Sequence, residues 1–381
     1  MILITKSTEI KKLCNQLSHE KFICIDTEFI REKYYFAKLC LLQLGDSKGN
    51  GWAIDTLKKG IDLSPIYSLF SNPEILKVFH APRQDLEIIY KLTKKIPYPI
   101  FDTQIAGMAS GFGDSVSYEK LVNILLDTTI DKSTRYSDWS IRPLKKEQIN
   151  YALKDVTYLS KIYLLLNDQI NKKNRSIWIK EEVEKFYNTN LYENDPYDAW
   201  KKIKTKKQNI KVLKILREIC AMREKIAIKM NMQKSMVLKD EHLLKLAIKS
   251  PGSLKELSTV RGFPNSKISQ SIKIEIIQSI RKGEICTETN WLQRKKNHKN
   301  QSSKEIIKLL NILLTSTAKK HNISARLIAT KDDLEEISSG NKESRVLKGW
   351  RYEIFGETAL KILGGKIAVS FKNYKIIINK I

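Results

Sequence analysis

The sequence is poor in the features that mark secreted, zinc-binding and membrane proteins. Its 381 residues include only five cysteines, at positions 14, 24, 40, 220 and 286, and none of them forms a C-x-x-C pair. An odd number of scattered cysteines argues against a disulfide framework or a zinc site and favours a reducing compartment. No run approaches the ~18–20 uncharged apolar residues of a spanning helix, and the N-terminus lacks the apolar core and cleavage site of a signal peptide. We therefore expect a soluble, cytoplasmic protein without a membrane partner.

Acidic residues are scarce relative to basic ones. The chain has 42 Asp and Glu against 68 Lys and Arg, which gives a formal net charge of +26. Residues 1–190 hold 28 cations and 23 acids, whereas residues 191–381 hold 40 and 19. The usual partner of such an excess is a nucleic acid or an anionic membrane surface. The distribution predicts a first domain of nearly balanced charge, followed by a basic region that binds the anionic partner.

Strand-like runs and helical periodicity alternate in the first half of the chain. The runs cover residues 22–25, 39–44, 52–55 and 76–79, and helical segments begin near residue 85 and cover 118–126 and 145–167. The close spacing of the first three runs predicts an antiparallel β-meander. Strands that alternate with helices are typical of an α/β domain.

The second half reads as mainly helical. A cationic run at residues 201–207 marks a domain boundary, residues 210–282 and 305–360 have helical spacing, residues 293–304 read as a basic linker, and residues 366–378 look strand-like. Residues 231–243 can be laid over 322–334 as a weak internal repeat with an offset of 91. We expect two helical units of similar length.

Four carboxylates and a tyrosine stand at positions that suit metal chemistry. Asp26 and Glu28 follow the run 22–25, and residues two apart in a strand project from the same face. Tyr151 and Asp155 are four apart in a predicted helix and share its face, and Asp85 lies in the first turn of another helix. Adjacent carboxylates repel each other unless a cation joins them, and their hard oxygens suit Mg²⁺ or Mn²⁺. Each feature alone has an ordinary explanation, namely an exposed loop pair, a core tyrosine, or an acid at a helix N-terminus.

The order of these five residues resembles the tyrosine-bearing branch of the DEDD exonuclease superfamily. The surrounding segments are similar to the ribonuclease D family, and they are residues 25–29, 42–44, 80–87, 101–104, 138–144 and 151–155. Residues 208–285 resemble a helicase-and-RNase-D C-terminal (HRDC) domain, and the segment that ends at residue 356 is similar to that family's second, more divergent copy. The absence of a G-x-x-x-x-G-K-[ST] phosphate loop argues against an HRDC-bearing helicase.

The resemblance implies an α/β fold with three parts. A ribonuclease H-like exonuclease domain, in which helices flank a mixed β-sheet, is expected at residues 1–200. Two small, mainly α-helical domains follow, an HRDC domain at 208–290 and a divergent HRDC-like domain at 300–381. We expect the chain to act as a monomer.

The resemblance also implies a chemistry for the five residues. Asp26, Glu28, Asp85 and Asp155 are expected to hold two divalent ions, Mg²⁺ or Mn²⁺. Asp26 would bridge both ions, Glu28 and Asp155 would hold the ion that activates water, and Asp85 would support the second ion directly or through a water. Tyr151 would orient the attacking water, because a phenol with a pKa near 10 is a poor base at neutral pH.

Other residues beside these segments have candidate roles. The Thr27 backbone and Glu28 are candidates for contact with the terminal 3′-hydroxyl, and Phe29 either stacks on the terminal base or packs in the core. His80 and Asp102 are expected to be structural. Trp139, Arg142 and Pro143 are expected to position the loop before the Tyr151 helix, with a phosphate contact as the alternative for Arg142.

The implied activity is 3′→5′ exoribonuclease action that releases nucleoside 5′-monophosphates. The expected partners are tRNA precursors and other small structured RNAs, bound through the basic half by salt-sensitive phosphate contacts, with no nicotinamide or nucleotide cofactor. Two alternatives stay open, a 3′→5′ DNA exonuclease for proofreading or repair and a non-catalytic RNA-binding adaptor.

Overall fold

The N-terminal region is built around one mixed β-sheet. The computed structural model of the chain describes residues 2–131, 133–134, 136–205, 208–289, 291, 304–372 and 375–380. The strands of this sheet are β1 (Ile2–Ile4), β2 (Phe22–Ile30), β3 (Lys38–Gly45), β4 (Gly51–Asp55), β5 (Leu76–Phe79) and β6 (Ile100–Asp102). Their order across the sheet is β1-β4-β3-β2-β5-β6.

The sheet combines an antiparallel centre with parallel edges. β2, β3 and β4 form the predicted antiparallel meander, whereas β1 joins β4, and β5 joins β2 and β6, in parallel. The first four residues of β2 are all buried because the strand is central and covered on both faces. β2 then continues to Ile30, beyond the apolar run, so the acidic residues at positions 26 and 28 belong to the strand itself.

Helices cover both faces of the sheet. They are α1 (Ser7–Leu17), α2 (Ser64–Ser71), α3 (Arg83–Thr93), α4 (Thr103–Ser110), α5 (Tyr118–Leu126), α6 (Lys146–Lys172) and α7 (Ser176–Glu184). The long helix α6 packs across β2, β3 and β4. It comes so close that a Cβ atom at Gly45 of β3 would lie 3.0 Å from the Val156 carbonyl oxygen. Glycine at this position therefore sets the distance between α6 and the sheet.

A separate helical unit follows three short 3₁₀ turns. Its helices are α8 (Ile210–Met230), α9 (Lys234–Val237), α10 (Asp240–Lys249), α11 (Leu254–Thr259) and α12 (Gln270–Ile285). Its buried apolar residues form a core of their own, which the Tyr35 ring of the first domain also contacts. The α8–α12 contact is tight, because a Cβ at Gly283 would lie 2.5 Å from the Ile215 Cα.

The last unit repeats the previous helical pattern. It contains α13 (Lys304–His321), α14 (Ala325–Ile328), α15 (Lys331–Ser338), α16 (Gly349–Arg351), a π-helical turn at Tyr352–Gly356 and α17 (Glu357–Leu363). The ends of α8 and α13 and the starts of α9 and α14, and of α10 and α15, are each 91 residues apart. Asn231 and Asn322, which follow α8 and α13, both adopt the left-handed conformation, with φ of 43° and 49°. The structure thus reproduces the predicted repeat over α8–α10 and α13–α15.

The last described segment of the chain is a two-stranded sheet. The strand-like segment at 366–378 is a hairpin, in which β7 (Ile367–Lys372) pairs antiparallel with β8 (Lys375–Lys380). The strand-like character predicted for this segment is confirmed, and the structure divides it into two strands. The predicted linker at 293–304 lies outside the described residues except for Lys304, which begins α13, and so do residues 206 and 207 of the cationic run.

The last unit packs directly on the first domain. Its buried apolar residues belong to the same continuous core as the sheet and its helices. The Trp178 ring of α7 stacks on Trp350 with 4.3 Å between centroids, and the Arg351 guanidinium donates to the buried Glu182 carboxylate. Arg175 donates to the Ala109 carbonyl, at 2.5 Å, and to a carbonyl at the end of α13. Within the described residues, no helix is long and apolar enough to cross a membrane.

Candidate active site

Three carboxylates from two elements meet at the centre of the sheet. Asp26 and Glu28 project from the face of β2 that α6 covers, and Asp155 lies on α6. Each offers an oxygen, and these oxygens lie within 4.8 Å of one another. We call Asp26, Glu28 and Asp155 the acidic cluster. The i, i+2 spacing on the strand and the position of α6 over β2 bring the three together.

The electrostatics of the acidic cluster favour a cation. Burial raises the pKa of Asp26 well above its usual range, and the charges of Asp155, Asp85 and Glu28 raise it further. A divalent cation would remove this repulsion, and carboxylate oxygens are the ligands that Mg²⁺ and Mn²⁺ prefer. The donor set therefore fits the expected ions.

Asp85 stands beside the acidic cluster, tied to the same strand. It lies in the first turn of α3, is 8% exposed, and accepts a short hydrogen bond from the Thr27 hydroxyl. Burial raises the pKa of Asp85 to about 6, and the Thr27 hydrogen bond opposes that rise. Among the described residues, the carboxylate oxygens that lie within 4.8 Å of one another belong to the acidic cluster, and Asp85 is not one of this set. The Thr27 side chain is thus engaged by Asp85, on the strand face opposite to Asp26.

Tyr151 lies one helical turn before Asp155 on α6. Its ring packs against the buried Trp139, with 6.3 Å between centroids, and lines the cavity over the acidic cluster. The nearby Tyr118 hydroxyl donates to the carbonyl oxygens of Lys154 and Asp155 at 3.0 and 2.9 Å. These contacts fix the rotation of α6, and with it the direction of both site residues on that helix.

A β-bulge in β3 lies opposite the site residues of β2. Glu28 pairs with Leu41 and Phe29 pairs with Leu39, so Cys40 is the additional residue on β3. Bulges are common next to active sites, and both Glu28 and Phe29 line the cavity here.

The acidic cluster opens into a cavity of about 740 Å³. Thr27, Glu28, Phe29, Asp85, Tyr151 and Asp155 line it together with Asp26. It is also lined by residues that the sequence analysis did not select, including Arg31, Tyr34, Gln84, Tyr118, Glu119, Tyr136 and Asp138. Arg31 and Tyr34 follow the D-x-E strand, and Gln84 precedes Asp85, so nearness to the acids was an available signal. Tyr118 and Glu119 carried none.

Two neighbouring side chains, Asp102 and His80, have structural contacts. The Asp102 carboxylate accepts from the amides of Ala81 and Gln104 at 2.9 and 2.8 Å, and it caps α4 as expected of a structural residue. His80 contacts the Thr103 hydroxyl at 3.0 Å, and burial lowers its pKa to about 4. This fits the structural role expected for His80.

Arg142 holds the loop before α6. Its guanidinium makes two bonds to Asp55, at 2.9 and 2.7 Å, and donates to the carbonyl oxygens of Trp139 and Cys40, each at 2.7 Å, and of Ile141 at 2.9 Å. All five N–H groups of the side chain are therefore used. The phosphate contact considered for Arg142 is wrong, because no donor is left for it.

A second cavity of about 350 Å³ adjoins the first. We call it the interdomain cleft, and it is lined by Arg31, Tyr34, Tyr35, Arg83, Glu87, Leu191, Tyr192, Asn194, Lys202, Glu224, Gln233 and Lys234. Arg31 and Tyr34 line both cavities. The Tyr35 hydroxyl donates to Glu224 of α8 at 2.6 Å, and the Phe36 amide donates to Asn231 at 2.9 Å. The loop after β2 thus joins the first domain to the helical unit.

Comparisons with known proteins agree with this architecture. A family model described as a 3′-5′ exonuclease matches residues 1–171, and one described as an HRDC domain matches residues 212–280. The chain is 41% identical over 379 residues to ribonuclease D of Bartonella henselae, covering 99% of this chain and 93% of that protein. It is also 41% identical over 378 residues to ribonuclease D of Zymomonas mobilis, covering 98% and 97%.

A solved structure matches nearly the whole chain. It is the crystal structure of Escherichia coli RNase D, whose title describes an exoribonuclease involved in structured RNA processing. The TM-score is 0.80 at 26% identity, and the match covers 95% of this chain and 98% of the other. A protein from Bifidobacterium adolescentis shares the fold, with a TM-score of 0.73 at 16% identity over 96% and 97% of the two chains.

Proposed function

The chain belongs to the ribonuclease D family of 3′→5′ exoribonucleases, and from this premise we propose that Asp26, Glu28, Asp85 and Asp155 hold two divalent ions, Mg²⁺ or Mn²⁺, for RNA hydrolysis. The observation that carries the proposal is the acidic cluster, whose oxygens lie within 4.8 Å of one another. Charged groups of one sign repel each other and destabilise a fold, so a bound cation is the explanation for their close placement.

The protein's own residues then divide the work. Bound ions would lower the pKa of a water and stabilise the charge on the leaving oxygen. The charges of the other three acids all raise the pKa of Asp26, and Asp26 is proposed to contact both ions. Asp85 is proposed to support the second ion directly or through a water. Tyr151 lines the cavity and is proposed to orient the attacking water through its hydroxyl. Glu28 and the Thr27 backbone are proposed to contact the terminal 3′-hydroxyl, which would restrict cleavage to a free 3′ end.

Phe29 supplies an apolar surface beside these polar groups. Phe29 lines the same cavity as the acidic cluster. A base stacked on an aromatic ring gains about 1–3 kcal/mol. We assign Phe29 to the terminal base, because stacking does not depend on which base is present.

The interdomain cleft offers a path for the RNA upstream of the terminal nucleotide. The carboxylates of the active site repel the phosphates of RNA, so the affinity for RNA must come from cationic residues elsewhere. In the cleft, the Arg83 guanidinium lies 4.6 Å from the Tyr192 ring centroid, and Lys202 and Lys234 approach from the helical side. We propose that these three cations bind phosphates of the strand whose 3′ end occupies the main cavity.

The biological substrates follow from the family rather than from the site. We propose that the RNA is the 3′ end of tRNA precursors and other small structured RNAs, released as nucleoside 5′-monophosphates by a monomeric enzyme in the cytoplasm. A DNA exonuclease shares the same chemistry, since the acidic cluster does not read a 2′-hydroxyl.

The test of the proposed function is mononucleotide release from matched oligonucleotides. We expect 5′-mononucleotides from RNA with a 3′-hydroxyl in Mg²⁺ or Mn²⁺, and none in EDTA or from RNA with a 3′-phosphate. Asp155→Asn should bind RNA without cutting it. A strong preference for the matched DNA would favour the DNA exonuclease, and full activity of Asp155→Asn would refute the site. A wild-type protein that binds RNA and cleaves neither RNA nor DNA would favour the RNA-binding adaptor.

The proposed RNA path has its own test. Arg83→Ala and Lys234→Ala should weaken binding of a ten-nucleotide RNA and reduce the salt dependence by about one counterion per lost phosphate contact. Hydrolysis of a dinucleotide should not change, because it does not reach the cleft. Lys361→Ala removes an exposed lysine of α17 and serves as control. Equal effects of the three variants would contradict the path.

A further inference from the structure

Gln43 is a fully buried amide without a partner. It lies in β3, its exposed fraction is 0%, and neither its Nε2 nor its Oε1 has a hydrogen-bond partner among the described residues. An unpaired buried polar group costs about 1–3 kcal/mol, and an apolar side chain of the same shape would avoid that cost. Such a group in the centre of a sheet requires an explanation beyond packing.

The sheet register places Gln43 beside the acidic cluster. Gln43 is directly opposite Asp26 in the antiparallel ladder of β2 and β3. Opposite residues project from one face with Cβ atoms ~4.5–5.5 Å apart, which is within reach of a glutamine side chain. Gly45, two residues along β3, lies against Val156 of α6. Gln43 therefore projects from the face that carries Asp26 and that α6 covers.

The residue directly opposite Gln43 on its second side is apolar. There β3 pairs with β4, and Gln43 is opposite Ala53. Ala53 is itself fully buried, and its methyl group can neither donate nor accept. Asp26 is thus the polar residue directly opposite Gln43. Asp55 lies two residues beyond Ala53 and is held by Arg142.

We propose that Gln43 is a positioning residue for Asp26, and that its Nε2 donates a hydrogen bond to the Asp26 carboxylate when divalent ions occupy the acidic cluster. The inference rests on the metal site proposed above. A donor beneath the carboxylate restricts its rotation and stabilises its negative charge, so the ligand stays oriented toward the ions once they are bound. Hydrogen bonds to a metal-binding side chain typically change metal affinity about 10–100-fold.

The test separates metal affinity from stability. Gln43→Met keeps the length of the side chain and removes the donor. Titration of Mn²⁺ into the metal-free full-length protein, followed by calorimetry, should give an affinity at least about tenfold weaker. Thermal unfolding in EDTA should give an unchanged or higher midpoint, because the unpaired amide is gone.

A matched control carries the same substitution at another glutamine. Gln104 Nε2 donates to the Val116 carbonyl at 3.1 Å, so Gln104→Met should lower the unfolding midpoint and keep the Mn²⁺ affinity. If Gln43→Met does not fold, Gln43→Asn gives the comparison, since it keeps an amide that is one methylene shorter and should also weaken Mn²⁺ binding.

The outcomes distinguish the inference from its premise. A Mn²⁺ affinity of the Gln43 variant within twofold of the wild-type value overturns the role of Gln43 while the metal site stands. A wild-type protein that binds no Mn²⁺ refutes the metal site and this inference with it. Weaker Mn²⁺ binding without loss of metal-free stability supports it.

Discussion

The Thr27 hydroxyl donates a hydrogen bond to the Asp85 carboxylate and thereby joins β2 to the first turn of α3. The two residues are 58 positions apart, and the bond links the strand that carries Asp26 and Glu28 to the fourth acid. The Thr27 side chain therefore holds Asp85 on one face of β2, while Asp26 and Glu28 project from the opposite face into the acidic cluster.

Thr27→Val should destabilise the protein by about 1–3 kcal/mol at neutral pH, because the buried Asp85 carboxylate loses its donor. Thr27→Ser keeps the hydroxyl and should stay within about 1 kcal/mol of the wild type. Urea unfolding in EDTA measures both values. An unchanged stability of Thr27→Val would show that the hydroxyl contributes nothing.

Asp26→Asn should separate stability from activity. Removing one of the mutually repelling charges should raise the unfolding midpoint in EDTA by about 2–4 °C, while mononucleotide release falls at least about 10³-fold. Asp46→Asn is the control, since Asp46 accepts from the Lys48 amide and from both the amide and the side chain of Asn50. It should lower the midpoint and leave metal-dependent cleavage in place. A lower unfolding midpoint of Asp26→Asn in EDTA would contradict the claim that the acidic cluster destabilises the metal-free protein.

Tyr151→Phe should lower kcat by about 10²-fold, because the attacking water loses an orienting hydroxyl, with Mn²⁺ affinity unchanged. Tyr118→Phe loses a hydroxyl that holds two carbonyl oxygens of α6, so it should lower stability by about 1 kcal/mol and affect kcat less. Single-turnover kinetics and urea unfolding compare the pair. A larger rate loss in Tyr118→Phe would reverse the two assignments.

Asp102 should make the stability of the metal-free protein depend on pH. Burial raises its pKa from 3.8 to about 6, so the folded state binds the extra proton between these values. The resulting stability is fully present below about pH 4 and is lost as pH rises through about 6. Asp102→Asn, whose Oδ1 can still accept both backbone amides, should match the wild type near pH 4 and exceed it at pH 7.5. A stability difference between Asp102→Asn and the wild type that stays the same from pH 4 to pH 7.5 would refute the raised pKa of Asp102.

Arg351→Met should destabilise the protein by about 1.5–3 kcal/mol, because the buried Glu182 loses one charged donor and keeps Lys185, at 2.7 Å, and Arg345, at 3.4 Å. The double variant Glu182→Leu with Arg351→Met should recover most of that loss. Lys361→Met breaks an exposed pair with Glu357, at 2.9 Å, and should change stability by less than about 0.5 kcal/mol. Urea unfolding of the wild type, Arg351→Met, Glu182→Leu and the double variant measures the cycle, and additive losses would mean that the pair contributes nothing.

Much of the site was predictable because it depends on local periodicity. Alternation in β2 put Asp26 and Glu28 on one face, and the helical repeat put Tyr151 and Asp155 on another, so two short segments defined the acidic cluster. The meander, α3 and α6 followed from runs of apolar residues. β1 and β6 were missed because three residues, at Ile2–Ile4 and Ile100–Asp102, are too few to show a period.

The remainder depends on contacts between distant segments. The bulge at Cys40, opposite Glu28 and Phe29, is a property of how β2 pairs with β3. The hydroxyl of Tyr118 matters only because α5 lies beside α6. Nothing in the sequence around Trp178 or Trp350 indicated that their rings stack across two units.

The shared core of the first and last units also bears on how the chain is made. The sheet and α7 are complete after residue 184, but their packing partners lie between residues 304 and 363. At a synthesis rate of 5–20 residues per second, this part of the first domain waits roughly 5–35 s for its covering helices. A message truncated within the last unit therefore yields a nuclease with an exposed apolar face, which chaperones and proteases can distinguish from the full-length enzyme.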